Sequence, residues 1–220
     1  MSQELRAPLE AGLRALGLEL SPAQVDTLME FQALLGKWNK VYNLTAVRDP
    51  QEMLTHHLLD SLAAVPPLQR HLAQMPARAG RTAMLDVGSG GGLPGVVFAV
   101  CCPQIDVHCV DTVGKKAAFI QQAAATLRLP NLRGIHSRVE QLTTRYPLIS
   151  CRAFASLADF TRWSRQALEE GGTWLAMKGK HPDEEIAALP ADVQVFHVEP
   201  LKVPGLDAER CILWLRTAAA

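Results

Sequence analysis

The sequence predicts an α/β fold, a Rossmann-like doubly wound sheet, mainly parallel with an antiparallel edge, preceded by a small N-terminal helical extension. Three observations predict it. From residue 83 onward short apolar runs alternate with helical patterns, the first run opens into a glycine-rich loop, and before residue 75 only helical periodicity is present. The extension is assigned to residues 1–75 and the sheet domain to 76–220, with MPARAGR (75–81) as the junction.

Within the extension, Leu5, Leu9, Leu13 and Leu16 form a short apolar stripe that ends at Gly17. In SPAQVDTLMEFQALLGKWNKVY, Ser21 is placed to cap, Pro22 to open the helix and Gln24 to complete a capping box. Leu28, Phe31, Leu35, Trp38 and Tyr42 then recur on one face. DPQEMLTHHLLDSLAAVPP repeats the grammar: Asp49 caps, Pro50 starts, Glu52 closes the box, and Pro66 and Pro67 are expected to stop the helix.

The sheet domain follows in order. AMLDV (83–87) reads as a buried strand, and after the glycine loop an apolar helix runs through Val100. DVHCVD (106–111) is the second strand, residues 115–129 an alanine-rich helix, LRGIHS (132–137) the third strand and LISCRAF (148–154) the fourth. A helix over 158–168, a turn at EEGG (169–172) and a fifth strand TWLAMK (173–178) come next. VQVFHVEP and CILWLR are expected to form the antiparallel ribbon at the edge.

Composition narrows the function. Twenty-two basic and 22 acidic residues cancel, so a nucleic-acid partner would have to be met by a local patch. Five cysteines, with no C-x-x-C and no histidine at ligand spacing, read as reduced core thiols. The longest apolar stretch is too short to span a bilayer, and the N-terminus lacks the basic-then-apolar pattern of a secretory signal, which together predict a cytoplasmic protein without membrane contact. His56 and Asp60 share a helical face but lack further ligands, so no metal is expected, and they are read as polar residues between extension and sheet domain.

The loop AMLDVGSGGGLPG carries the chemistry. A nucleoside triphosphate loop needs a lysine and a hydroxyl residue after its last glycine, yet Gly95 is followed by Val96 and Val97. A dinucleotide fold needs G-x-G-x-x-G, and here Gly88-x-Gly90-x-Gly92 breaks that spacing, although Asp111 stands where a strand-end acid grips a ribose. S-adenosylmethionine shares the ribose and adenine but lacks the pyrophosphate. For it, the loop would approach the methionine portion, Asp111 the ribose, and Val139 and Glu140 the adenine. The competing readings are a helix cap for Asp111 and a solvated surface acid for Glu140.

Five motifs then come together: DVGSGGGLPG, DTVGKK, SRVE, SCRAFASL, and helical NLTAV with HHLLDSL. Over about Asn39 to Lys180 the chain resembles the bacterial 16S ribosomal RNA guanine-N7 methyltransferases, the glucose-inhibited division protein B family. The resemblance implies a class I S-adenosylmethionine-dependent methyltransferase that modifies one guanine, 527 in the usual ribosomal numbering, on 16S ribosomal RNA or the small ribosomal subunit. It carries cofactor-binding roles onto Gly88, Leu93, Val139, Glu140 and Arg152, beside Gly90 and Asp111 from the loop and strand pattern. Thr112 and Cys151 stand where the family commonly has serine, and Cys151 abuts Arg152.

No catalytic residue is expected. N7 of neutral guanine already presents a lone pair, and the [DN]-P-P-[YF] motif of exocyclic-amine methylation is replaced by CRAF. Arg152 is assigned to the cofactor pocket, against a phosphate or guanine-edge contact or a structural pair with Asp86 or Glu140. Lys178 and Lys180, at a strand's carboxyl end, are candidate RNA phosphate contacts. The alternatives are a methyltransferase for a small molecule or protein, and a nicotinamide-dependent oxidoreductase.

Overall fold

The computed structural model describes residues 2–218. Two long helices open the chain, α1 (Ser2–Ala15) and α2 (Pro22–Tyr42). The Ser21 hydroxyl accepts from the Gln24 amide at 3.2 Å and Gln24 Oε1 accepts in turn from the Ser21 amide at 3.0 Å, the reciprocal box expected at that start. Asp49 caps α3 (Pro50–Met53) by accepting from the amides of Gln51 and Glu52.

From Leu54 the helix widens into a π-helical turn through Leu59 before resuming as α4 (Asp60–Ala63). The sequence did not announce that turn, which swings His56, His57 and Asp60 relative to a regular helix. Pro66 and Pro67 do not end the helical unit. The break comes at Ala64, and the two prolines occupy the first turn of α5 (Val65–Gln74), where a missing N–H has no cost.

Seven strands follow: β1 (Thr82–Val87), β2 (Ile105–Asp111), β3 (Leu132–His136), β4 (Tyr146–Arg152), β5 (Leu168–Lys178), β6 (Val193–Pro200) and β7 (Cys211–Thr217). Their order is β3-β2-β1-β4-β5-β7-β6; β1 to β5 pair in parallel, and β7 runs antiparallel between β5 and β6. The EEGG stretch lies inside β5 rather than before it. Leu168 pairs with Tyr146 and Thr173 with Leu148, so the residues between are looped out of the ladder, with Gly171 left-handed.

Helices α6 (Gly95–Cys101) and α7 (Gly114–Thr126) cover one sheet face and α8 (Leu157–Ser164) the other. Alternation along β1 divides the core, Met84 joining one apolar cluster and Leu85 the other. The helical extension lies over α6 and α7 and shares their cluster. Phe31 and Phe119, both fully buried, meet at 6.3 Å, and their burial contributes roughly 1.5–3 kcal/mol each. Gln24 donates to the Val100 carbonyl at 2.8 Å. A short helix α9 (Asp183–Ala187) joins β5 to β6. No described helix is long and apolar enough to cross a membrane.

The strand order reverses at β1, with β2 on one side and β4 on the other. Val87 lies level with Val110 and Cys151, so the loops leaving β1, β2 and β4 emerge together at the carboxyl edge, where such sheets hold ligands.

Candidate functional site

The glycine loop is pegged from below by Asp86. Its carboxylate is fully buried; Ser150 donates to Oδ1 at 2.8 Å and the Gly95 amide, at the start of α6, donates to Oδ2 at 3.1 Å. Burial pushes the Asp86 carboxyl up to about 6, against the lowering effect of those hydrogen bonds. Gly95 must be glycine because a Cβ there would overlap the Cys109 sulfur and crowd Asp86. Gly88 has φ +69° and a Cβ there would run into the Phe154 ring, so neither side chain nor ordinary backbone geometry suits the position.

Two chambers flank this loop. The first, about 470 Å³, is walled by Gly88, Asp111, Val139, Glu140, Phe154 and Trp163. Asp111, buried at the end of β2, accepts from the Gly90 amide through Oδ2 at 3.1 Å and from the Val113 amide through Oδ1 at 2.8 Å, with the Lys116 ammonium 3.9 Å away. It does not cap α7, whose N-cap position is Val113 with no side-chain bond. Instead it ties the β2 turn to the glycine loop, and each carboxylate oxygen keeps lone-pair capacity for a ligand hydroxyl. Val139 is buried and Glu140 exposed on a single 3₁₀ turn over Val139–Gln141.

The sequence reading missed the aromatic wall. Phe154 meets Phe160 and Trp163 edge to face, at centroid distances of 6.4 and 5.8 Å. The cue was an aromatic residue two places after the end of a parallel strand.

The second chamber, about 560 Å³, shares Gly88, Lys116 and Ala153 with the first and takes in Gly90, Leu93, Arg152 and Lys178. The expected cofactor residues therefore divide between two connected spaces. Arg152 does not pair with Asp86 or Glu140. Its Nη1 donates to Asp60 Oδ2 at 2.8 Å and to the His56 carbonyl at 3.1 Å, while Arg210 Nε donates to Asp60 Oδ1 at 2.7 Å. Asp60 is thus a buried anion held between two guanidiniums, one from the end of β4 and one just before β7. Arg210 left no mark in the sequence, since 150 residues separate it from Asp60.

Ala153 divides the chambers. Its φ of +50° is left-handed, a strained state for a residue with a Cβ, and it sits between Arg152 of the second chamber and Phe154 of the first. Cys151 is buried among core residues on the other side of the strand, and burial holds its thiol well above the usual range. Asp60, not Cys151, fixes the Arg152 side chain. Thr112 is exposed, its carbonyl paired with His136 at 3.1 Å.

His57 reaches back to Thr45 at 2.7 Å, Nε2 to Oγ1, joining the NLTAV and HHLLDSL motifs at the chamber wall. Burial and then the Arg152 charge lower its pKa, favouring neutral imidazole. The Lys178 ammonium contacts both Glu185 oxygens, at 2.8 and 3.0 Å, and the Ala155 carbonyl at 2.9 Å. With these three contacts its ammonium is turned to Glu185 and Ala155, unlike the open phosphate contact that the sequence suggested. Lys180 is exposed. Among the described residues no group of three or more histidine, cysteine or acidic side chains could hold a metal.

Known proteins resemble this chain over nearly its whole length. The family described as GidB, rRNA small subunit methyltransferase G, matches residues 24–213. The ribosomal RNA small subunit methyltransferase G of Acidovorax sp. (strain JS42) is 73% identical over 215 residues, 96% of this chain and 95% of that protein. The protein of the same name from Paracidovorax citrulli (strain AAC00-1) is 68% identical over 218 residues, covering 96% of this chain and 90% of its own. Among solved structures, a SAM-dependent methyltransferase from Aquifex aeolicus shares the fold, with a TM-score of 0.53 over 84% of this chain and 97% of that one at 12% identity.

Proposed function

The chain belongs to the rRNA small subunit methyltransferase G family, and we propose that it methylates N7 of a single guanine in 16S ribosomal RNA, as free RNA or within the small subunit, in the cytoplasm. It is an S-adenosylmethionine-dependent methyltransferase. The division of labour we assign is residue by residue. Asp111 takes the ribose hydroxyls, Val139 and Glu140 border the adenine, and Gly88, Gly90 and Leu93 give the backbone approach to the methionine end. Arg152 closes the junction of the two chambers. The residues fit this cofactor: Gly88 lines both chambers without a side chain, at a position where a Cβ would run into the Phe154 ring, and Asp111 offers a carboxylate with unused acceptor capacity.

One observation carries the choice of nucleophile. The one carboxylate lining the second chamber, Asp60, is engaged by two arginines, and His57 is held at Nε2 by Thr45 while its buried Nδ1 has no partner among the described residues. No carboxylate lining that chamber is free to take a proton, which suits a nucleophile that needs no base. S-adenosylmethionine would supply an electrophilic methyl group: N7 of neutral guanine would take it in line as the methyl–sulfur bond breaks, leaving a neutral thioether and a cationic base, with no proton lost first. The protein's task is then orientation and exclusion of water, worth up to roughly 7–11 kcal/mol when alignment is good. An arginine fork on the O6 and N7 edge would occupy the reacting lone pair. Arg152 and Arg210 are therefore assigned away from N7.

Methyl incorporation from labelled cofactor into 16S ribosomal RNA, naked or assembled, tests the proposal. Label is expected in the RNA and to fall steeply as salt rises. Label on protein, or binding of NADH in place of S-adenosylmethionine, would refute it.

A further inference from the structure

The chain has no net charge, yet residues 31–48, FQALLGKWNKVYNLTAVR, contain three basic residues and no acid. Lys37, Lys40 and Arg48 converge on a groove of about 500 Å³ between α1, α2 and α3, floored by Met29, Gly36 and Met53. Acids flank the stretch at Glu30, at Asp49, whose carboxylate caps α3, and at Glu52; none of the three cations is in an ion pair among the described residues. Arg48 instead donates to the Asn43 side chain at 3.0 Å.

Two further features mark the groove as a binding surface. Gln32, 5% exposed, lines it; its Nε2 donates to the Pro50 carbonyl at 2.7 Å, while its Oε1 has no partner among the described residues. Just beyond Lys40, Val41 is 70% exposed and Tyr42, tilted against Trp38 with ring centroids 5.0 Å apart, is 40% exposed. A cationic groove beside an exposed aromatic is the combination with which proteins hold unstacked single strands.

The groove also adjoins the second chamber. Leu44 and Thr45 line that chamber, and Arg48 is three residues further, at most about 10 Å along the chain. We propose that this groove holds the single-stranded RNA segment flanking the target nucleotide, with phosphates on Lys37, Lys40 and Arg48 and a neighbouring base over Gly36 and Met53. The inference rests on RNA being the substrate. It places part of the recognition on the helical extension, at a site that takes no part in cofactor binding, and it shows how a neutral chain meets a polyanion.

The test compares the parent with a K37E/K40E/R48E variant and with Gly36→Leu, using in vitro transcribed 16S ribosomal RNA and small ribosomal subunits as probes. All three cations are on the surface, and leucine is a better helix former than glycine, so folding is checked only by circular dichroism. The charge-reversed variant should bind transcript at least about tenfold more weakly, raise KM for RNA more than it lowers kcat, and lessen the slope of log affinity against log salt by about 2. Gly36→Leu should weaken RNA binding with the salt slope unchanged. S-adenosylmethionine affinity should be unaffected in both. Parent-like RNA affinity and salt slope in the triple variant would overturn the groove, as would loss seen with subunits but not with transcript, which would assign the surface to a ribosomal protein. A parent that binds transcript yet methylates neither transcript nor small subunits would refute the proposed function while leaving the groove to be judged by binding.

Discussion

Arg152 Nη1 lies 2.8 Å from Asp60 Oδ2, an ion pair across 92 residues that fastens the helical extension to the end of β4 at the chamber wall. Asp60 is 3% exposed and also holds Arg210. Removing one member of a buried pair leaves uncompensated charge, at a cost of about 3 kcal/mol. Asp60→Ala should therefore lower the unfolding free energy read from urea melts by an amount of that order and sharply reduce methyl transfer. A variant as stable as the parent would show that the two arginines find other partners.

Asp111 should govern cofactor affinity. Asp111→Ala deletes the acceptor for the Gly90 and Val113 amides and the group assigned to the ribose. Calorimetric titration with S-adenosylmethionine should show at least about tenfold weaker binding, equivalent to about 1.4 kcal/mol. Unchanged affinity would remove Asp111 from that role.

Gly88→Val should abolish cofactor binding more completely than it unfolds the protein. The valine would meet the Phe154 ring and sit at a positive φ, which a β-branched residue resists. A thermal melt within a few degrees of a second glycine-loop variant, with no heat of cofactor binding, is the expected pair of results; retained binding would show that Phe154 moves aside.

Asp86 gives the fold a pH dependence of defined sign. Its carboxyl is raised to about 6 by burial, so the folded state holds a proton that the unfolded chain, near 3.8, has released. Between about pH 4 and 6 the stability contributed by this group falls as pH rises, by about 3 kcal/mol in all. His57, His71 and His108, held below their usual range by burial, act oppositely and lose stability as pH falls through 6.5. The difference between parent and Asp86→Asn isolates the aspartate. Guanidinium melts across this range should show that difference changing with pH, and a constant difference would contradict the burial account.

Much of this architecture was legible in the sequence because it rests on local patterns. Capping residues at Ser21 and Asp49 mark helix starts, alternating apolar runs mark the strands, and the parallel order brings Gly88, Asp111 and Arg152 to one edge. What was hidden depends on distant partners. The Asp60 carboxylate and Arg210 are 150 residues apart, and the charge on Lys178 is consumed by Glu185 across a loop. The EEGG stretch misled because a glycine pair marks a bulge within a strand as readily as a turn before it. Pro66 and Pro67 misled because a proline that ends one helix is equally suited to open the next.

The central claim is that the cleft presents neutral guanine N7 to the methyl group without a base. Nucleoside analysis of 16S ribosomal RNA methylated by the purified protein tests it most directly. The account predicts 7-methylguanosine at a single position; methyl groups on an exocyclic amine, or scattered over many guanines, would contradict it.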